Sequence, residues 1–117
     1  MNKEIKARWV TALRSGNYEQ GRYNLRRGDR YCCLGVLCDV VKDEVDYDWL
    51  PLQDSMGTFY RFNRADEVLP DSVASYADLE ISPKVTFEGK EEVYITAIND
   101  DTDLTFDDIA DLIEEQF

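Results

Sequence analysis

The C-terminal segment carries the clearest structural signal in this sequence, an apolar stripe at helical spacing. Its apolar residues recur every three or four positions and therefore share one helix face: Phe106, Ile109, Ala110, Ile113 and Phe117. Thr105 and Asp108 resemble a capping box, with Asp in place of the usual Glu, so we expect the helix to begin after Thr105. An amphipathic helix must bury its apolar face, which predicts a packed core.

Three earlier segments show related spacing. We predict a first helix over residues 3–14 with Asn2 as its N-cap, a second from Cys33 to about Val41, and a short third over Asp71–Leu79. The residues expected to face inward on these helices are Ile5, Trp9, Ala12, Leu13, Leu34, Leu37, Cys38, Val41, Val73, Tyr76 and Ala77.

Short β-branched and aromatic segments between the helices predict strands. The expected strands are Arg22–Arg26, Arg30–Cys32, Thr58–Phe62, Val85–Phe87 and Val93–Ile95. Glycine-containing turns at Gly28 and Gly89 favour hairpins for the first and last pairs. We expect Asp43–Gly57 to be a loop in which apolar residues pack around Pro51.

Together these patterns predict one α+β domain spanning residues 1–117, with three to four helices packed on a small antiparallel sheet. The expected core includes Trp9, Leu13, Leu34, Leu37, Cys38, Ile109 and Ile113. No apolar run approaches the roughly 20 residues that span a bilayer, and the N-terminus lacks a secretory apolar region. We therefore expect a cytoplasmic protein that does not contact membranes.

Composition argues against catalysis. The chain has no histidine, which excludes Ser-His-Asp and Cys-His nucleophile activation and histidine metal ligation. Its three cysteines are an odd number, and the neighbours Cys32 and Cys33 lack the spacing of a zinc site. Although Cys33 lies near a predicted helix start, we expect buried free thiols with a structural role. We predict no enzyme activity, no cofactor and no metal.

The segment Asn99–Asp103 places five oxygen-bearing side chains before the last helix. It lacks the glycine and the distal bidentate Glu of an EF-hand loop. Capping and solubility are the favoured interpretation, because anions stabilise helix N-termini, and weak cation binding remains the alternative.

Charged residues are unevenly distributed along the chain. The net charge is −12, yet residues 1–31 contain eight basic side chains against three acidic ones. Arginine and tyrosine concentrate within this basic part and define a candidate anion-binding segment: Arg22, Tyr23, Arg26, Arg27, Arg30 and Tyr31. Arginine binds phosphate bidentately and tyrosine offers a stacking face, which predicts a nucleotide-type ligand. The competing interpretation is that these arginines pair with acidic residues of the same chain.

Several segments of the sequence resemble one protein family. The longest are Lys6–Gly16, Gly28–Asp39, Leu69–Val73 and Phe106–Glu114, with shorter ones at Gly21-Arg22, Leu25-Arg26 and Ile98–Asp100. The most specific part is the run Tyr-Cys-Cys-Leu-Gly-Val-Leu-Cys at Tyr31–Cys38. The sequence thus resembles a family of small accessory proteins of tailed bacteriophages and prophages. The resemblance implies expression inside a bacterial host and assigns no catalytic residue.

Phage accessory proteins of this size often counteract host defence, so three functions are expected. The first is sequestration of an anionic small molecule by the arginine and tyrosine residues. The second is an acidic inhibitor that mimics nucleic-acid charge and blocks a host nucleic-acid-binding protein. The third is a small metal-dependent enzyme that acts on nucleotides. Direct binding of nucleic acid is not expected for so acidic a chain.

Overall fold

The computed structural model describes residues 1–89 and 91–117. In chain order its elements are α1 (Lys3–Arg14), β1 (Glu19–Gln20), β2 (Arg26–Arg27), β3 (Arg30–Tyr31), α2 (Cys33–Val45), β4 (Trp49–Asp54), β5 (Gly57–Phe62), α3 (Asp71–Ala77), β6 (Lys84–Thr86), β7 (Glu92–Tyr94), α4 (Ile95–Asp101) and α5 (Phe106–Gln116).

The core lies where α1 packs against α2 and α5. Trp9 is fully buried there, with its ring stacked on Phe117 at 6.5 Å between centroids. Its indole Nε1 donates a hydrogen bond of 2.9 Å to the carbonyl of Cys33, which satisfies the polar end of a buried ring. Burial of one such large side chain contributes about 1.5–3 kcal/mol of folding free energy. All seven residues predicted for the core are buried, so that prediction is confirmed.

The helix starts follow the predicted caps. Asn2 Oδ1 accepts a hydrogen bond of 3.0 Å from the backbone N–H of Ile5. The predicted capping box of α5 is present, since Thr105 and Asp108 each accept from the other's backbone N–H. These local hydrogen bonds fix where α1 and α5 begin along the chain.

The first turn of α2 packs directly on the backbone before β2. A Cβ atom on Gly35 would lie 1.8 Å from the carbonyl oxygen of Leu25. That oxygen also accepts a hydrogen bond of 3.1 Å from the backbone N–H of Cys32. Glycine is therefore required at position 35, because any side chain there would separate α2 from the strand segment.

The main sheet has five strands in the order β1-β3-β2-β5-β4. Strand β1 pairs with β3 in parallel, and the remaining pairs are antiparallel. The β2–β3 hairpin turns at Gly28, which has a positive φ of 58° as its turn requires. Strand β4 lies at one edge and contains Pro51, a residue that edge strands tolerate because it lacks a backbone N–H.

The C-terminal third adds a smaller sheet and two helices. Strands β6 and β7 pair in antiparallel fashion, as predicted, and residue 90, which belongs to the turn predicted at Gly89, lies outside the described residues. Helix α4 begins at Ile95, directly after β7, and buries Ile95, Ile98 and Asn99. No helix among residues 1–89 and 91–117 is long and apolar enough to cross a membrane.

The α+β class is confirmed, but several details of the prediction are wrong. Residues 1–89 and 91–117 contain five helices instead of three to four, because Ile95–Asp101 is helical where a strand end and a loop were expected. The sheet is mixed, since β1 runs parallel to β3. Tyr76 was expected to face inward but is 41% exposed. In its place Ala74 is buried on α3.

Two segment boundaries are also wrong. Where the strand Arg22–Arg26 was predicted, the observed strand is Arg26–Arg27, because residues 22–25 contact other parts of the chain instead of pairing in the sheet. The predicted loop Asp43–Gly57 contains the last turn of α2 and the whole of β4. An unbroken apolar run around a proline hid the strand, although proline is compatible with an edge position.

Candidate functional site

Arg22 and Tyr23 are held against the C-terminal end of α4. The Arg22 guanidinium donates to the carbonyls of Asp100 at 2.9 Å and Thr102 at 3.1 Å. Carbonyls at a helix end lack partners within the helix, and a cation there is favoured by the helix dipole. The backbone N–H of Tyr23 donates to Asp100 Oδ1 at 2.9 Å, while its side chain is 63% exposed. Arg22 thus serves as a cap for α4.

The fully buried Asn99 connects α4 to this segment and to α2. Its Oδ1 accepts from Gln20 Nε2 at 3.2 Å and from the backbone N–H of Cys33 at 3.3 Å. Its Nδ2 donates to the Gly21 carbonyl and to Asp100 Oδ1, both at 2.9 Å. A buried amide with four partners stabilises one arrangement of these three segments, because the Cys33 N–H and the Gly21 carbonyl would otherwise lose this hydrogen bond.

The structure therefore joins two motifs that the sequence presents separately. The acidic segment Asn99–Asp103 provides partners for Arg22, Tyr23 and the chain around Gly21. Thr102 Oγ1 donates to the Ile98 carbonyl at 2.5 Å and so closes the C-terminal end of α4, whereas the N-terminus of α5 is capped by Thr105, outside this segment. Among the residues that the structure describes, no group of three or more acidic or cysteine side chains is arranged to bind a metal ion.

Arg26 lies on the face of the main sheet that is turned toward α2, which we call the inner face. Its guanidinium carbon is 4.0 Å from the ring centroid of Tyr60, 5.1 Å from that of Tyr31 and 5.7 Å from that of Trp49. Its Nε donates to the Gly28 carbonyl at 2.9 Å. Cation–π contacts with three rings stabilise the charge at this position.

Arg27 and Arg30 lie on the opposite, outer face of the sheet, where they are directly cross-strand partners. Arg27 forms a bidentate pair with Asp54, with N–O distances of 2.6 and 3.0 Å. This pairing lowers the pKa of the Asp54 carboxyl to about 2. Arg30 is more exposed, and its guanidinium lies 3.8 Å from Glu19.

The six predicted site residues therefore lie in three places. Arg22 and Tyr23 contact α4, Arg26 and Tyr31 share the inner face, and Arg27 and Arg30 share the outer face. Side chains alternate along a strand, so the neighbours Arg26 and Arg27 must point in opposite directions. Anion binding by all six residues at once is not supported by this arrangement. Arg27 and Arg30 pair with acidic side chains of the same chain, as the competing interpretation expects, whereas Arg22 and Arg26 contact backbone carbonyls and aromatic rings. Binding by the outer-face pair stays a prediction.

Sequence reasoning did not single out Asp39, which links α2 to the inner face. Its carboxylate accepts from Tyr18 at 2.5 Å and from the Trp49 indole at 2.9 Å. Burial and the hydrogen bond to this carboxylate raise the pKa of Tyr18 well above its ordinary value. Tyr18 and Asp39 lie at one end of an open groove of about 570 Å³ between α1 and α2.

The three cysteines are buried and unpaired, as predicted. Burial raises the pKa of Cys32 to about 12, and it raises the pKa of Cys33 and Cys38 as well. Cys32 caps α2 by accepting a hydrogen bond of 3.4 Å from the backbone N–H of Gly35 to its sulfur. A nucleophilic thiol must be exposed and ionised near neutral pH, and these thiols are neither.

Acidic side chains dominate the surface. All but four of the 25 acidic residues are exposed, the exceptions being Asp39, Asp66, Asp100 and Asp108. The imbalance is greatest at the C-terminal end, since residues 91–117 contain ten acidic side chains and no basic one. The exposed carboxylates from the end of α4 along α5 form what we call the acidic ridge: Asp101, Asp103, Asp107, Asp111, Glu114 and Glu115.

Basic side chains from α1 compensate only part of the acidic ridge. Arg14 pairs with Asp111 at 2.7 Å, and Lys6 Nζ donates to the backbone carbonyl of Glu114 at 3.0 Å. Asp111 is the ridge member that takes part in an ion pair among the described residues. The ridge therefore presents several carboxylates to solvent along about two turns of helix and the preceding corner.

Comparison with known proteins identifies a family without a described activity. No curated protein and no solved structure gives a significant match to the chain. A family described as a domain of unknown function, DUF8296, matches residues 1–117. Since the match covers the whole sequence, this chain belongs to the DUF8296 family.

Proposed function

We propose that this protein is a binding protein without catalytic activity, and that its acidic ridge occupies a basic surface of a partner protein. The observation that carries the proposal is the concentration of exposed carboxylates on the ridge, in a segment of ten acidic residues without a basic one. A surface of one sign attracts an oppositely charged partner and raises its association rate.

The acidic ridge presents a row of negative charge, as a nucleic-acid strand does. Residues four apart on a helix, such as Asp107 and Asp111, are separated by about 6 Å along the axis. Phosphates along one DNA strand are separated by about 3.4 Å along its axis, so the ridge carries about one carboxylate for every two phosphates. Lysine and arginine side chains in a phosphate-binding groove are long and flexible enough to contact charges at this wider spacing, which gives inhibition by charge mimicry.

The first of the three expected functions, sequestration of a nucleotide-type anion, has weaker structural support. Arg22, Arg26 and Arg27 each donate hydrogen bonds within the chain, and those bonds would have to be exchanged for bonds to a ligand. The third, a metal-dependent enzyme, gains no support from the arrangement of carboxylates among the described residues. Blockade of a partner protein requires neither an enclosed pocket nor a metal.

The proposal extends to the setting in which the protein acts. The resemblance to tailed-phage accessory proteins supports a role in the cytoplasm of a bacterial host, where the partner would belong to host defence or to host nucleic-acid metabolism. The net charge of −12 supports binding that is fast at low salt and weakens as salt rises.

Capture from a bacterial lysate tests the proposal. The full-length protein is immobilised, a nuclease-treated lysate is applied, and bound proteins are eluted with heparin, a competing polyanion. We expect basic nucleic-acid-binding proteins in the eluate. The proposal is wrong if the eluted proteins are acidic, or if heparin and salt release none of them.

Two charge-matched variants separate the acidic ridge from net charge. The ridge variant carries Asp101→Asn, Asp103→Asn, Glu114→Gln and Glu115→Gln. The scattered variant neutralises four exposed acids elsewhere: Asp43→Asn, Glu67→Gln, Glu80→Gln and Glu91→Gln. We expect the ridge variant to lose the captured proteins and the scattered variant to retain them.

A further inference from the structure

We propose that the outer face of the main sheet is a second docking surface, and that it binds an acidic, apolar segment of a partner protein. The face comprises Arg27, Arg30, Leu50, Leu52, Phe59 and Arg61, together with Glu19 and Asp54, which each pair with one of the arginines. It is separate from the acidic ridge and opposite to it in charge, so the inference goes beyond the proposed function.

The strand register places these side chains together. Arg30 pairs with Arg27, Arg27 with Phe59, and Phe59 with Leu52, so these residues form one row across four strands. Leu50 and Arg61 form the next row along β4 and β5. Directly paired residues of antiparallel strands share a face, and neighbouring strands lie about 4.8 Å apart.

Part of this face is open to solvent in the region of the chain that the structure describes. Leu50 is 58% exposed, and Met56 at the tip of the β4–β5 hairpin is 80% exposed. Leu52 and Phe59 are half-buried, yet both lie outside the group of apolar residues that pack against the core. By contrast Trp49, whose side chain points to the inner face, packs against that core. Exposed aliphatic side chains grouped on one surface are typical of protein-binding sites.

The charge of the outer face specifies an acidic partner. Arg27 already binds a carboxylate in bidentate fashion, that of Asp54, which shows the geometry that the face offers. The Arg30 side chain is 65% exposed, and its Nη2 lies 3.8 Å from Oε2 of Glu19. Arg61 is exposed and forms no ion pair with any residue that the structure describes. Arg61 is thus positioned to bind a carboxylate of a partner, and Arg30 can do the same by exchanging its ion pair with the exposed Glu19.

The apolar residues favour a protein segment over a nucleic acid. Single-stranded nucleic acid stacks its bases on exposed aromatic rings. The ring on this face, Phe59, already carries the Arg27 guanidinium at 5.5 Å from its centroid. Leu50, Leu52 and Met56 instead match aliphatic side chains of a protein, and arginine and methionine are enriched in protein interfaces.

Peptide selection on the full-length protein tests the inference. A display library of random twelve-residue peptides is selected on wild type, with counter-selection on an Arg30→Glu, Arg61→Glu variant. We expect the selected peptides to combine Asp or Glu with Leu, Ile, Phe or Met. A synthetic selected peptide should bind at least about tenfold more weakly to the double variant and to Leu50→Ser, because several contacts are lost together.

A Lys3→Glu, Lys84→Glu variant carries the same charge change elsewhere and should bind the peptide within about twofold of wild type. The ridge variant should also retain the peptide, so failure of the proposed function would leave this result intact. Selection of basic peptides, or of none, would overturn the inference. So would a single-stranded oligonucleotide that binds wild type but not the double variant, or a dimer in sedimentation that Leu50→Ser dissociates.

Discussion

Replacement of Asn99 by Ala is expected to destabilise the fold more than most single substitutions. The change removes the acceptor of the Cys33 backbone N–H and the donor to the Gly21 carbonyl. Each buried group left without a partner costs about 1–3 kcal/mol, so these two together cost about 2–6 kcal/mol. That range is a large fraction of the about 5–15 kcal/mol that stabilises an ordinary domain.

Urea unfolding followed by tryptophan fluorescence measures this loss as a change in the free energy of unfolding. The matched control is Asn24→Ala, since Asn24 is half-buried and its side chain accepts a hydrogen bond from Arg27 Nε at 3.1 Å. The control should lose about 1 kcal/mol or less. If Asn99→Ala loses no more than the control, Asn99 does not hold the three segments together and the reasoning is refuted.

Three other predictions concern the backbone, the thiols and one ion pair. Gly35→Ala should lower the free energy of unfolding in urea by about 3 kcal/mol or more, because the added Cβ overlaps the Leu25 carbonyl. Gly16→Ala, at a residue with a φ of 77° and open space around it, should lower it by about 1–2 kcal/mol. Equal losses would contradict the steric argument. The three buried thiols should react with a disulfide reagent at pH 8 only as the protein unfolds, since burial raises their pKa values, and rapid labelling of the folded protein would contradict this. NMR titration of Asp54 should give a pKa of about 2, below the ordinary aspartate value of 3.8, because the Arg27 guanidinium stabilises the ionised carboxylate. The stabilisation from this pair is therefore present above pH about 4 and is lost as pH falls toward 2. Arg27→Gln should return the pKa toward 3.8, and an unchanged pKa would contradict the pairing.

Helices with regular apolar spacing and a side-chain cap were predictable from the sequence. Both caps are local, since Asn2 and Asp108 lie within three residues of their partners. Helix α4 was missed because its polar run resembles a loop, and Asn and Thr are poor helix formers. Burial of Ile95 and Ile98 stabilises it through tertiary contacts, and their spacing of three residues was the available signal.

The arginine segment was recognisable by composition, but its geometry was not. Alternation along β2 could have separated Arg26 from Arg27 once the strand limits were known. The partners of these arginines lie farther along the chain, since Asp54 contacts Arg27 across the sheet and α4 contacts Arg22. Arg61 joins the outer face only because β5 pairs with β2, a long-range choice that no local pattern specifies.

The excess of acidic residues was predictable from the sequence, but their arrangement on the surface was not. The excess of acidic residues after residue 31 is a property of the sequence. The acidic ridge, by contrast, depends on the corner at residues 102–105 that joins α4 to α5. Four separate exposed acids elsewhere have the same charge and form no such row. The position of the acidic residues therefore distinguishes a binding surface from a surface that only confers solubility. The ridge variant and the scattered variant remove the same charge at different positions.

The most direct test of the central claim is the dissociation constant of a heparin-eluted partner for the ridge variant and for the scattered variant at 100 mM salt. Exposed ion pairs contribute about 0.2–1 kcal/mol each, so loss of four pairs costs about 0.8–4 kcal/mol and should weaken binding by at least about fourfold. The scattered variant has the same net charge and should bind within about twofold of wild type. Equal weakening of the two variants would show that only net charge matters, and unchanged affinity of the ridge variant would contradict binding through the acidic ridge.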